Sequence, residues 1–266
     1  MPLAKVADWY LKADLNALVS ETRLTLVQIA AELGVSTRTI NNWLSGETRP
    51  KAGMVARFAQ ICGASEKRIN FLVHVVNQLD KGTVVSDLDK RNIFIVERAE
   101  ATAGEFWKFE PLYVHGPLQD RRYHTEMLPG LGNSTPNWQR KLRRFQTLQN
   151  RRPAPIARYL MSSNVLRRLR GWEGAGGLFD HLLQVDRWPN TEIRILDELI
   201  YGAEHAFDIY LPGGFLKAPP SLVYVETLDQ SRHIEEEATV SLYTDRVKRM
   251  WSAGQRIGGR LDDWIR

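Results

Sequence analysis

An α+β fold is expected for this 266-residue chain: an amino-terminal all-α domain of five helices, then an α+β domain built on an antiparallel sheet. Three observations predict it. Caps, glycine stops and apolar stripes at helical spacing are dense between residues 14 and 80. After residue 156 the pattern changes to short apolar runs bounded by Pro and Gly, and a long amphipathic stretch over 235–254 closes the chain. A helical segment followed by mixed strands and helices points to two layers built separately. The boundaries fall at 1–80 for the helical domain, 81–90 for a linker and 91–266 for the second domain.

The first helix is expected over 14–22, with Leu15, Leu18 and Val19 apolar. Thr25 can cap a second helix, and Gln28 three places on can return a hydrogen bond to the cap's own N–H, a capping box. Ile29, Ala30 and Leu33 then share a face, and the small Ala30 lets the next helix cross closely. Gly34 takes positive φ without a Cβ penalty, so the chain turns within a few residues. Val35 fills the angle between the helices, and Ser36 caps the third. Ile40, Trp43 and Leu44 return to the core, and Gly46 ends that helix. A fourth helix is expected over 52–62, with Met54, Val55, Phe58, Ala59 and Ile61 inward. Ser65 can cap a fifth, whose Ile69, Leu72, Val73, Val76 and Leu79 form a stripe suited to a core or a dimer surface.

The third helix leaves Thr37, Arg38, Asn41 and Asn42 outward, just behind the Ser36 cap. A helix that enters the major groove presents its amino-terminal side chains to base edges while the preceding helix crosses the backbone. Arg can pair with guanine through two hydrogen bonds, Asn with adenine, and Thr can touch the thymine methyl. A solvated face on an ordinary helical hairpin would not require Gly34, Ala30, Ser36 and the apolar 40/43 pair together.

These residues resemble the Xre/phage-repressor class of helix-turn-helix, through Thr25, Ile29, Ala30, Leu33, Gly34, Val35, Ser36, Thr39, Ile40, Trp43, Gly46 and Pro50. The resemblance implies a sequence-specific, repressor-like transcription factor that binds double-stranded DNA. It places Arg49, in the loop after the recognition helix, on phosphate, with Lys51 beside it. Leu26 stands where the class often has a Gln that contacts phosphate; either Gln28 takes over, or the backbone is anchored differently. Such a small reader is expected to work as a homodimer on half-sites about 34 Å apart.

In the second domain, 88–104 reads as a helix around Ile93, Val96, Ala99 and Ala103, and 107–115 as aromatic and extended. Further helices are expected over 121–128, over 138–151 with Leu142, Phe145 and Leu148 on one face, and over 178–185. Arg151-Arg152-Pro153-Ala154-Pro155 breaks the basic helix. Strands are expected over 156–161, 192–196, 206–211 and 221–226, with a hairpin-type turn at Pro212-Gly213-Gly214 flanked by Phe215-Leu216. The closing helix should bury Ala238, Leu242, Tyr243, Val247, Met250 and Trp251.

The stretches 94–106, 113–128, 143–155, 193–196, 213–215 and 222–227 are similar to a carboxy-terminal domain found behind Xre-type modules in actinobacterial-type regulators. That resemblance implies an antitoxin-like regulator whose gene often neighbours one for a small partner protein. Two alternatives to a plain regulator therefore stand: a module that sequesters such a partner, or a small-molecule sensor with a pocket lined by some of Trp107, Tyr113, Trp188 and Tyr224.

Composition bounds the rest. The net charge of +5 conceals a segregation: residues 120–170 carry 12 Lys/Arg against 2 Asp/Glu, and residues 171–266 carry 10 against 16. The basic block is read as a second phosphate-contacting surface, as a helical face paired to the acidic third, or as a site for an acidic partner. Cys62 lies on an apolar helix face and, being single, excludes an internal disulfide. The six histidines show no i, i+3 or i+4 pairing, so neither a metal nor another cofactor is expected. No run of 18 apolar residues and no charged-then-apolar leader occurs, so a cytoplasmic chain is expected, nucleoid-associated when on DNA. Gly171–Gly177 lacks the strand and the Lys-Ser/Thr of a phosphate loop and is read as a connector. Glu235-Glu236-Glu237 suits a helix amino terminus. No catalytic motif is present, and an enzyme is not expected.

Overall fold

The computed structural model describes residues 5–82, 87–88, 93–128, 134–197, 204–214, 217–227 and 231–265. The chain divides into two compact units, Met1–Arg98 with Leu228–Glu235, and Ala99–Thr227 with Glu236–Arg266.

The first unit contains α1 (Lys5–Glu21), α2 (Leu26–Leu33), α3 (Thr37–Ser45), α4 (Ala52–Ile61) and α5 (Glu66–Lys81). The first helix begins nine residues earlier than residue 14, because Val6, Ala7, Tyr10 and Leu11 extend the buried face of Leu15 and Leu18. Asp14, expected at the start of that helix, is therefore mid-helix and 1% exposed. Arg68 grips it through Nε at 2.8 Å and Nη2 at 3.0 Å, and Arg98 through Nε at 2.7 Å. Glu21 one face along receives the remaining arms of both guanidiniums, at 2.6 and 3.1 Å. Burial would pull Arg68 down, but its hydrogen bond and charge contact with Asp14 hold it above the usual arginine range. Tyr10, Phe71 and Phe94 pack beside this network, with ring centroids 5.2 and 5.5 Å apart. In α5, Leu72 and Val76 are buried as expected, joined by Phe71 and Val75. A short antiparallel ladder of β1 (Asp87–Leu88) with β7 (Ser231–Ile234) completes the unit.

The second unit holds a sheet in the order β6–β5–β2–β3–β4–β8. Its strands are β2 (Glu105–Glu110), β3 (Ile156–Ser162), β4 (Thr191–Leu196), β5 (Phe207–Leu211), β6 (Leu222–Glu226) and β8 (Gln255–Arg256). The expected antiparallel sheet is mixed instead: β2, β3 and β4 run parallel, while β5, β6 and β8 join antiparallel. The reason lies in the connections. Helices α7 (Arg121–Glu126) and α8 (Thr135–Asn150) separate β2 from β3, and α9 (Ser163–Arg167) and α10 (Ala175–Asp186) separate β3 from β4. A strand returning through a helix re-enters parallel to its predecessor.

Other expectations shift by a few residues. Of the helix expected over 88–104, α6 spans Phe94–Thr102 and residues 89–92 lie outside the described residues, and the extended aromatic stretch ends as a strand at Glu110. Residues 215–216 beside the expected turn, and 228–230, lie outside the described residues. The closing helix α11 (Glu237–Ala253) buries Val240, Val247 and Met250, but Leu242 is 60% exposed and Ala238 is exposed. Its buried stripe is thus rotated from the expected one. In α8, Leu148 is buried while Leu142 faces solvent.

A charged core lies on β2. Lys108, 1% exposed, donates from Nζ to Tyr210 Oη at 2.6 Å and Glu100 Oε1 at 2.9 Å, and to Asp208 Oδ2. Arg144 of α8 closes a fork on Glu100, with Nε–Oε2 at 2.7 Å and Nη2–Oε1 at 2.5 Å. Burial would raise the Glu100 carboxyl; Arg144 and then Lys108 overcome it and hold the group down at about 2. His115, also buried, sets Nε2 3.2 Å from the Leu160 carbonyl, and burial lowers its ring to about 4.

Candidate nucleic-acid interface

The α2–α3 unit is fixed at both joints by its own sequence. Thr25 accepts from the Gln28 N–H while Gln28 Oε1 accepts from Thr25 N at 2.8 Å, the reciprocal cap expected. Gly34 ends α2 at φ 69°, its N–H returning to the carbonyls of Ala30 and Ala31. Ser36 then caps α3 by accepting from Thr39 N at 3.1 Å. At the far end Gly46 takes φ 81°, and a Cβ there would meet Lys12 Cδ at 2.3 Å, so the turn both needs the left-handed conformation and passes close to α1.

Burial orients the helix. Ile40 and Trp43 face inward, as do Ile29 and Ala30 of α2, all four buried. Asn16 of α1, which the sequence reading missed, donates from Nδ2 to the carbonyls of Lys12 at 2.8 Å and Leu44 at 2.9 Å. It ties the carboxyl end of α3 to α1. Within the sequence it sat in a stretch read only for its apolar positions.

Rigid at both ends, α3 leaves Thr37, Arg38 and Asn41 exposed at its amino-terminal half. Arg38 has no carboxylate partner among the described residues. Asn42 is placed differently. With its amide nitrogen turned inward it donates to the Arg38 carbonyl and to Glu47 Oε2, both at 3.1 Å, bracing the turn after α3. Ser36 has its hydroxyl on the cap, and Gln28 has its carbonyl oxygen there, leaving the amide nitrogen as the donor for a phosphate. Arg49 is exposed and lies between Asp8 and Asp80, at 3.6 and 3.7 Å. Those separations are loose, so a phosphate can compete for the guanidinium. Lys51 is exposed at the start of α4. The residues expected to serve one surface therefore divide into open side chains (Thr37, Arg38, Asn41, Lys51) and engaged ones (Gln28, Ser36, Asn42, Arg49).

The basic 120–170 block contrasts with that surface. Arg144 is consumed by buried Glu100, and Arg151 donates to the Glu100 carbonyl at 3.0 Å. Arg122 bonds Glu126 at 2.9 Å and Glu173 at 2.8 Å, Arg158 pairs with Glu105, and Arg167 meets Asp197 at 2.7 Å. Only Glu173 and Asp197 among these acids belong to the acidic third, so the pairing is more local than the charge segregation implied. The four aromatic residues proposed for a shared pocket are likewise separated. Trp107 packs on Trp251 at 5.3 Å and under Arg158, Tyr113 lies beneath Arg168, and Tyr224 donates to Glu226. Of the four, Trp188 alone lines a cleft described below.

No helix among the described residues is long and apolar enough to cross a membrane. Comparison with known families matches residues 13–72 to a helix-turn-helix domain and residues 96–256 to a domain of unknown function, DUF5753. No curated protein matches the chain.

Proposed function

We propose that this chain, which belongs to the DUF5753 family and carries a helix-turn-helix domain ahead of it, is a sequence-specific transcriptional regulator without enzymatic activity. It acts in the cytoplasm as a homodimer, its two copies of α3 entering successive major grooves about 34 Å apart. Arg38 and Asn41 read base edges, Thr37 contributes a methyl contact, and Lys51, Arg49 and the Gln28 amide hold phosphates. The carboxy-terminal domain regulates that binding.

One observation carries the reading: a short helix, capped and clamped at both ends, exposes an arginine and an asparagine whose side chains have no partner among the described residues. Side chains that stabilised the fold would be paired, as Arg144, Arg158 and Arg167 of the second unit are. Selection of the full-length protein on randomised duplexes should enrich a two-fold symmetric motif. Recovery of no preferred sequence would overturn the proposal.

A further inference from the structure

A cleft of about 240 Å³ opens in the second unit where the carboxyl end of α8 and the 151–155 segment meet the first residues of β3 and β4. Phe106, Tyr159 and Trp188 form aromatic walls, with Leu148, Ala157 and Pro155 between them. The first two aromatics are fully or nearly buried, and Trp188 is held by Phe145, whose ring centroid lies 5.0 Å away. The mouth carries one cation, Arg152.

Arg152 differs from Arg122, Arg144, Arg158 and Arg167 of its block in how it is held. Its Nη1 donates to the carbonyls of Gln149 at 2.9 Å and Arg151 at 2.8 Å. Among the described residues Nε and Nη2 make no hydrogen bond, and no carboxylate pairs with the group. The guanidinium is thus fixed by neutral backbone at the edge of an aromatic slot, with its bidentate face unused. A fork of that kind matches a carboxylate in geometry and charge, and flat aromatic walls favour a flat ring. The volume lies below the roughly 300–1,000 Å³ of pockets for drug-sized ligands, so the occupant is compact.

We infer that this cleft binds a small aromatic carboxylic acid of one or two rings, its ring between Tyr159 and Trp188 and its carboxylate on Arg152. Binding itself is independent of DNA recognition by α3. Only its consequence at the operator rests on the regulatory role proposed for the carboxy-terminal domain.

The test uses the full chain and 2-naphthoate as probe, with 2-naphthamide as its uncharged match, followed by calorimetry. The acid should bind about ten-fold or more tighter than the amide, the ratio that a charge-assisted hydrogen bond supplies. Arg152→Met should erase that gap, Arg152→Lys should retain part of it, and Trp188→Leu should weaken both probes. Equal affinity of acid and amide for the wild-type protein overturns the inference, as does absence of saturable binding up to the solubility limit, and neither result needs a variant to fold. Retention of the gap in Arg152→Met overturns it too. Operator binding by ligand-free Arg152→Met is measured alongside: its loss would count against the DNA reading of the α3 surface and not against the cleft.

Discussion

The exposed end of α3 and the basic 120–170 block invite the same guess and turn out to be built differently. The block has the higher charge density, with 12 Lys/Arg against 2 Asp/Glu. Yet Arg144, Arg122, Arg158 and Arg167 each sit on a carboxylate. The α3 surface has a single arginine, Arg38, and leaves it open. Charge counted along a sequence therefore locates basic residues, whereas partnering decides which of them remain for a ligand. Where the carboxylate is buried, as Glu100 is under Arg144, the arginine serves as a core residue.

The largest effect should come from that core use. Glu100→Ala strands Lys108 and Arg144 without their shared carboxylate and should cost about 3–5 kcal/mol of stability. Arg143→Ala, at an exposed position on the same α8, should fall within about 0.5 kcal/mol of wild type. Denaturant titration measures both, and a mild Glu100 variant would erase the distinction drawn above.

A pH titration sharpens the same point. The unfolded chain takes a proton at His115 below about 6.5, which the buried ring refuses until about 4. The unfolded state then binds more protons, so stability falls as pH drops from 6.5 to 4 and is unaffected by this group above 6.5. Subtracting the curve of His115→Gln from that of wild type should leave this slope, on the order of 3 kcal/mol across the window. Coincident curves would mean that the ring is solvated.

Smaller effects belong to DNA binding. Arg49→Gln and Lys51→Gln should each weaken operator binding evenly across sequences and reduce the salt slope by about 1. Arg143→Ala should leave the slope where it was. A slope that responds to Arg143 and ignores Lys51 would move the phosphate surface to the second unit.

The helix-turn-helix was legible because each of its joints is local: the cap of Thr25 on Gln28, the left-handed Gly34, the cap of Ser36 on Thr39. Such contacts span three or four residues and leave their signature in the sequence. Asn16 clamping Leu44, 28 positions away, leaves none. In the second unit β3, β4, β5 and β6 were found by their apolar runs, but their direction was not, because parallel pairing depends on how α8 and α10 return the chain. Lys108 was unreadable for a related reason: its partners Glu100, Asp208 and Tyr210 come from a helix and another strand. The engagement of Asn42, expected to read a base, was not legible because its bond to Glu47 forms only once the turn after α3 has closed.

The most direct measurement is the affinity of wild type and Arg38→Ala for every single-base variant of the selected operator, at one fixed salt concentration. A loss of about 1–3 kcal/mol is expected on the parent operator, with discrimination abolished at one base pair per half-site and intact elsewhere. An equal loss on every variant, with all base preferences retained, would make Arg38 a phosphate contact and contradict the claim that α3 reads sequence through it.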